Sequence, residues 1–223
     1  MEVNLMGSTA LTRIMERNAA IAALTCHDNV REEIKPSEVL KRIIKLGHES
    51  ILEHITLTYS VKGLSRACLQ ELSRHRHISL SVESTRHTLK KKLGTEADVN
   101  LLGNMRSKCK QIYYYDDPNQ DYVWAMVKGM CQLVEQIPDI PNDELKYCIP
   151  ECWPTNLVLT SNVRELRHIV KLRTAPAALK EFQELARKLF EAVPDEFKYL
   201  LEDCVYKAET KLETPKKQLR EGE

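Results

Sequence analysis

One segment alternates apolar and polar positions strictly. Ile55, Leu57, Tyr59 and Val61 are interleaved with Thr56, Thr58, Ser60 and Lys62, the period of a strand with one buried face. Gly63 is expected to end it. Residues 3–6 and 156–160 are shorter strand candidates. Elsewhere the period lengthens to that of a helix. Pro36-Ser37-Glu38 opens one, with Val39, Leu40, Ile43, Ile44 and Leu46 on its apolar side and Gly47 at its end. Residues 11–24, 65–73 and 119–136 read as helices; in the second of these Cys68, Leu69 and Leu72 point inward. Asn162 is placed as an N-cap with Glu165 as its capping-box partner, opening a helix that reaches Arg173. Pro176 precedes a helix over 177–192, and Pro194 starts the last one. The mixture predicts an α+β fold, long helices packed on a small, mostly antiparallel sheet.

Composition narrows the function classes. Lys and Arg total 33 against 32 Asp and Glu, a net charge of +1, so nucleic acid and anionic membranes are not expected as partners. No apolar run is long enough for a membrane span, and the N-terminus lacks the pattern of a secretory signal; the expected location is cytoplasmic. The seven glycines form no phosphate loop, which removes the dinucleotide and P-loop folds. Seven scattered cysteines (Cys26, Cys68, Cys109, Cys131, Cys148, Cys152 and Cys204) read as reduced, mostly buried thiols. No ligand set for a metal is complete. Residues 1–213 read as a single catalytic domain and 214–223 as a charged tail.

The densest chemistry lies in residues 73–88, which hold Arg74, Arg76 and Arg86, His75, His77 and His87, and no lysine. Guanidinium forks suit phosphate and carboxylate, and the hydroxyls of Ser84 and Thr85 add neutral donors. The plainer reading is that Arg74–His77 complement the negative end of the preceding helix; it does not account for Arg86. In the helix after Asn162, Leu166, Ile169, Val170 and Arg173 share one face, so Arg173 ends an apolar stripe and needs an anionic or carbonyl partner. Arg164 and His168 fall on another face, placed to hold a second anion. His48-Glu49-Ser50 and Glu53-His54 precede the alternating strand without the spacing of a metalloprotease.

Arg74-His75-Arg76, seven residues, then Ser84 resembles the signature of the flavin-dependent thymidylate synthases (ThyX). His48-Glu49-Ser50, Glu53-His54, Asn162-x-Arg164 and Leu172-Arg173 resemble further elements of that family. The resemblance implies an α/β fold assembled as a homotetramer with active sites between subunits. It implies reductive methylation of dUMP to dTMP, with methylenetetrahydrofolate as carbon donor, tightly bound FAD as hydride donor and NADPH as reductant. Carried over by position, Glu71, Arg74, Ser84, Thr85, Arg86, Lys146 and Arg173 would hold dUMP. His48, Ser50, Arg74, His75, Arg76, His77, Asn162, Arg164 and His168 would hold FAD. Arg173 would be the catalytic group, polarising the uracil for attack at C5. The motif would form two ligand shelves on one turn, His75–His77 toward flavin and Ser84–Arg86 toward dUMP. The family pattern is broken at Val82, where a Glu is common, leaving open whether Glu83 supplies that carboxylate. Lys146, His87, Ala177 and His168 also depart from it. Two alternatives remain: a relative that oxidises NADPH without methylating, and a non-catalytic nucleotide- or RNA-binding module.

Overall fold

The computed structural model describes residues 1–26, 28–29, 33–93, 99–108 and 122–206. Cys109 and the charged tail lie outside these residues. Four strands form one sheet in the order β1-β2-β4-β3, every neighbour antiparallel. They are β1 (Glu2–Met6), β2 (Thr56–Ser65), β3 (Ile78–Val82) and β4 (Pro154–Asn162).

The alternation over 55–62 has its physical cause in this sheet. Ile55, Leu57, Tyr59 and Val61 are buried, and β2 is central, paired with β1 and β4. Gly63 does not end the strand, as its residue type suggested. It sits at φ +73° within a register shift between Val61 and Leu64, a bulge that a side chain would strain. Its N–H donates to Asn156 Oδ1 at 3.0 Å, and β2 continues to Ser65.

The helices are α1 (Thr9–Thr25), α2 (Pro36–Lys45), α3 (Arg66–Leu72), α4 (Thr85–Leu93), α5 (Val99–Lys108), α6 (Tyr122–Gln136), α7 (Asn142–Leu145), α8 (Val163–Arg173) and α9 (Lys180–Glu191). Ser8, Ser65 and Asn162 cap α1, α3 and α8 with side-chain oxygens. Short 3-10 segments cover Glu49–His54 and Asp195–Leu200; the last "helix" expected after Pro194 is this tighter turn. The helix expected from residue 177 begins at Lys180 instead.

Two apolar clusters form. The larger packs β2 and β4 against α3, α8, α9 and the Phe197–Leu201 segment. The second joins Leu89, Met105, Val127, Leu145 and Trp153 within the stretch between β3 and β4. Of the described cysteines, Cys68 and Cys204 are buried, but Cys26 and Cys148 are exposed, so the expectation of mostly buried thiols is only half met.

Candidate functional site

Between α3 and α8 a chain of four polar side chains runs through the protein. Arg173, in the last turn of α8, donates from Nη1 to Glu71 Oε2 at 2.9 Å and from Nε to His75 Nε2 at 3.3 Å. Its guanidinium lies 4.5 Å from the centroid of the Phe182 ring, a cation–π contact. His75 Nδ1 is 2.9 Å from Glu165 Oε1. Because an arginine nitrogen can only donate, His75 Nε2 must accept. The imidazole is therefore neutral, with its proton on Nδ1 directed at Glu165. Burial lowers the His75 pKa; Glu165 opposes that shift and the Arg173 charge adds to it.

His75, Glu165 and His168 also lie close enough to suggest a shared cation. A metal at His75 Nδ1 would need the proton moved to Nε2, where the Arg173 Nε–H already points. The donor set fits a hydrogen-bond chain rather than an ion. The ring of His75, one of the residues expected to hold FAD, is buried, 8% exposed, packed edge-on to His168 and Phe182, with both nitrogens engaged. Arg173 itself is not sealed under the apolar stripe; its side chain is 17% exposed.

Around this chain the neighbouring residues stay open. Arg74, Arg76, His77 and His168 are exposed, and Arg74 and Arg76 have no ion-pair partner among the described residues. His48 and Ser50 are exposed on the Glu49–His54 turn. Arg164, in the first turn of α8, meets Glu53 of that turn at 2.5 Å, and Asn162 accepts the Glu165 N–H at 2.8 Å.

Ser84, Thr85 and Arg86 lie elsewhere. A strand, β3, separates them from Arg74–His77, so the two shelves are not on one turn. Five strand residues put the two groups roughly 14 Å apart or more. The physical reason is legible in hindsight: Ile78, Leu80 and Val82 alternate with Ser79 and Ser81, and β3 pairs Ile78↔Ser161 through Val82↔Leu157 with β4. At the far end Arg86 Nε lies 2.7 Å from Asp143 Oδ1, and Lys146 Nζ lies 3.8 Å from the same oxygen. Two cations from distant segments thus converge on one anionic oxygen. Glu83 stands beside Val82, the position where the family pattern has a Glu. It binds Lys92 Nζ at 2.6 Å and Asn156 Nδ2 at 2.8 Å, facing a cleft of about 650 Å³ behind α4.

Sequence reasoning missed Arg167, whose side chain is 5% exposed. It donates to Glu49 Oε1 at 2.9 Å, to Leu200 O at 2.6 Å, and to both oxygens of Asp203 at 2.6 Å. Burial opposes its charge, but the Asp203 carboxylate outweighs burial and raises its pKa, with Glu49 assisting. The missed signal was its spacing: four residues after Val163 and three before Val170, on the buried face.

The site is thus an arginine- and histidine-rich surface on an α+β scaffold, with the Arg173 guanidinium held at its edge. The sequence profile described as "Thymidylate synthase complementing protein" matches residues 10–197. A flavin-dependent thymidylate synthase of Campylobacter jejuni (strain RM1221) is 40% identical over 175 residues, 78% of this chain and 83% of that protein. The Wolinella succinogenes enzyme of the same name is 37% identical over 206 residues, 90% and 97% of the two chains. A crystal structure of ThyX from Helicobacter pylori with FAD and dUMP superposes with a TM-score of 0.74 at 34% identity, covering 93% of this chain and 100% of that one. The chain belongs to the flavin-dependent thymidylate synthase family.

Proposed function

We propose that this chain carries out the reductive methylation of dUMP to dTMP. The observation that carries the reading is the guanidinium of Arg173. It is fixed from two sides by Glu71 and His75 yet still reaches solvent. A pre-oriented cation in a half-dry seat is suited to the negative charge that develops on a uracil ring. Arg173 binds the ring, favours ionisation at N3 and polarises C5; Glu71, already its partner, orients it against the nucleotide. Arg86 and Lys146 converge on one carboxylate oxygen, a geometry that the dUMP phosphate takes over from Asp143. Ser84 and Thr85 add donors beside it, and Arg74 sits at the other end of β3.

The exposed cations suit a flavin dinucleotide. Arg74, Arg76, His77, Arg164 and His168 flank the Arg173 chain, with Asn162, His48 and Ser50 nearby, and a pyrophosphate needs such donors. His75 contributes through Arg173 rather than by ring contact. Bound FAD supplies the hydride, with NADPH as its reductant and methylenetetrahydrofolate as the source of carbon.

The proposed dUMP residues are divided between the two ends of β3, with Glu71, Arg74 and Arg173 at one and Ser84, Thr85, Arg86 and Lys146 at the other, which supports a homotetramer in which the two ends of different copies meet. Residues 1–213 act as one catalytic unit and 214–223 as a charged tail. No described helix is long and apolar enough to cross a membrane, and the reading places the enzyme in the cytoplasm.

The test is the colour of the purified protein followed by tritium release from C5-labelled dUMP with folate donor and NADPH. Flavin absorbance with release is the expected result. A protein that cannot be loaded with FAD, or that oxidises NADPH without release, overturns the reading.

A further inference from the structure

Glu165 has no place among the ligand-binding residues above, yet its carboxylate is nearly buried, its side chain 12% exposed. A capping box would return that carboxylate to the start of α8. Only the backbone half of the box is seen: the Glu165 N–H donates to Asn162 Oδ1 at 2.8 Å, while the carboxylate accepts from His75 at 2.9 Å. The capping requirement of α8 is met without it, so the side chain is available for another task.

We propose that Glu165 is a positioning residue for Arg173: it holds the His75 proton on Nδ1, so that Nε2 is an acceptor that fixes the Arg173 Nε–H. The inference rests on the reading of Arg173 as the group that faces the uracil. The geometry dictates the direction of each bond. Arg173 Nε can only donate and an ionised Glu165 can only accept, so one tautomer of His75 satisfies both. The other tautomer places two donors face to face at Nε2 and two acceptors at Nδ1. Fixing Nε and Nη1 together sets the plane of the guanidinium, which a single bond to Glu71 would leave free to rotate. The charged and titratable groups facing His75 are Glu165, Arg173 and His168, all from α8; α9 contributes only the Phe182 ring.

Glu165→Gln and Glu165→Ala separate orientation from charge. The glutamine carbonyl still accepts the Nδ1 proton, so turnover at neutral pH stays within about 3-fold of wild type, whereas Glu165→Ala lowers kcat about 10- to 100-fold with FAD still bound, the scale of a misplaced catalytic group. Nitrogen-15 NMR of the His75 ring gives the second readout, independent of turnover. Wild type shows the Nδ1–H tautomer, and Glu165→Gln keeps it. Its midpoint of protonation moves to lower pH, because the carboxylate that favoured the charged ring is gone. The shift shows only that Glu165 faces the ring as a carboxylate; a merely structural role would lower the stability of Glu165→Ala without the fall in kcat, so the kcat loss with FAD still bound tells the two apart. An Nε2–H ring in wild type, or an unchanged midpoint in Glu165→Gln, overturns the proposal. So does Glu165→Ala with wild-type kcat. If Arg173→Ala itself retains turnover, the functional reading fails instead, and the NMR result still decides the tautomer.

Discussion

The middle and the last turn of α8 each present an arginine toward the interior, and the two are held by different logic. Arg167 is engaged at every nitrogen, the Asp203 fork is bidentate, and 5% of the side chain is exposed. Arg173 is held at Nε and Nη1 and keeps 17% of its side chain exposed against the Phe182 ring. A guanidinium with every nitrogen engaged internally ties elements together, here the Glu49–His54 turn and the Leu200–Asp203 segment onto α8. One with donors to spare, held in a fixed plane, is ready to meet an anion. Burial alone ranks the two the wrong way round for function.

The largest effect expected from breaking this comparison is on turnover. On the proposed role of Arg173, Arg173→Ala removes the cation that faces the developing charge, and kcat should fall at least about 100-fold, the scale of one lost electrostatic donor. FAD should remain bound, as its proposed ligands are other residues. Arg173→Lys should recover little, because an ammonium cannot serve Glu71, His75 and a substrate in one plane. Tritium release is the measurement; near-normal release in Arg173→Ala would show that the spare donors have no chemical role.

Arg167→Ala should leave the chemistry intact where the protein folds but cost about 3 kcal/mol of stability. That is the lower end for breaking a buried ion pair, since Glu49 and Asp203 are partly hydrated and so less costly to leave behind. Denaturant unfolding would read it. A loss below about 1 kcal/mol would mean that the clamp is no stronger than a surface pair. The Asp203 pKa is affected in opposite senses by burial, which raises it, and by Arg167, which prevails and lowers it. Its stabilisation is therefore present above the ordinary carboxylate range and disappears as pH falls through the lowered value.

Much of the scaffold was legible because its cause is local. The alternation from Ile55 to Val61, the Pro36 start of α2 and the Asn162 cap each depend on neighbours in sequence. Strand β3 was also written locally, in Ile78-Ser79-Leu80-Ser81-Val82, but those serines read equally well as ligand donors amid the arginines. The polar partners could not be read. Nothing near Arg167 points to Asp203, and nothing near Glu165 points to His75, 90 residues away. Glu165 even carried a sufficient local explanation as a capping residue. Long-range polar pairing has no period, so helix faces narrow the candidates without choosing among them.

A smaller effect should come from acid. The His75 pKa is lowered chiefly by burial, with Arg173 contributing. A lowered histidine means that the unfolded chain takes up protons first, so this contribution is whole above about pH 6.5 and declines as pH falls below it. Thermal unfolding should show Tm dropping through that range. In Arg173→Ala the neighbouring cation is gone, the folded and unfolded values draw together, and the slope should become shallower. A steeper slope would contradict the assigned neutral ring.

The smallest effect is expected at the first turn of α8, where Arg164 meets Glu53 with both side chains about half exposed. A solvated pair of this kind contributes roughly 0–1 kcal/mol, so Glu53→Gln should change stability by less than about 0.5 kcal/mol. Its sharper consequence concerns the ligand. If Arg164 is a flavin contact, Glu53 competes with the cofactor for it, and removing that charge should tighten FAD binding by about 3-fold or less, under 1 kcal/mol by the usual affinity arithmetic. FAD titration followed by fluorescence quenching measures this. A marked weakening would place Arg164 nearer to Arg167 in character, a structural cation that needs its carboxylate, and α8 would then carry two clamps and a single chemical arginine.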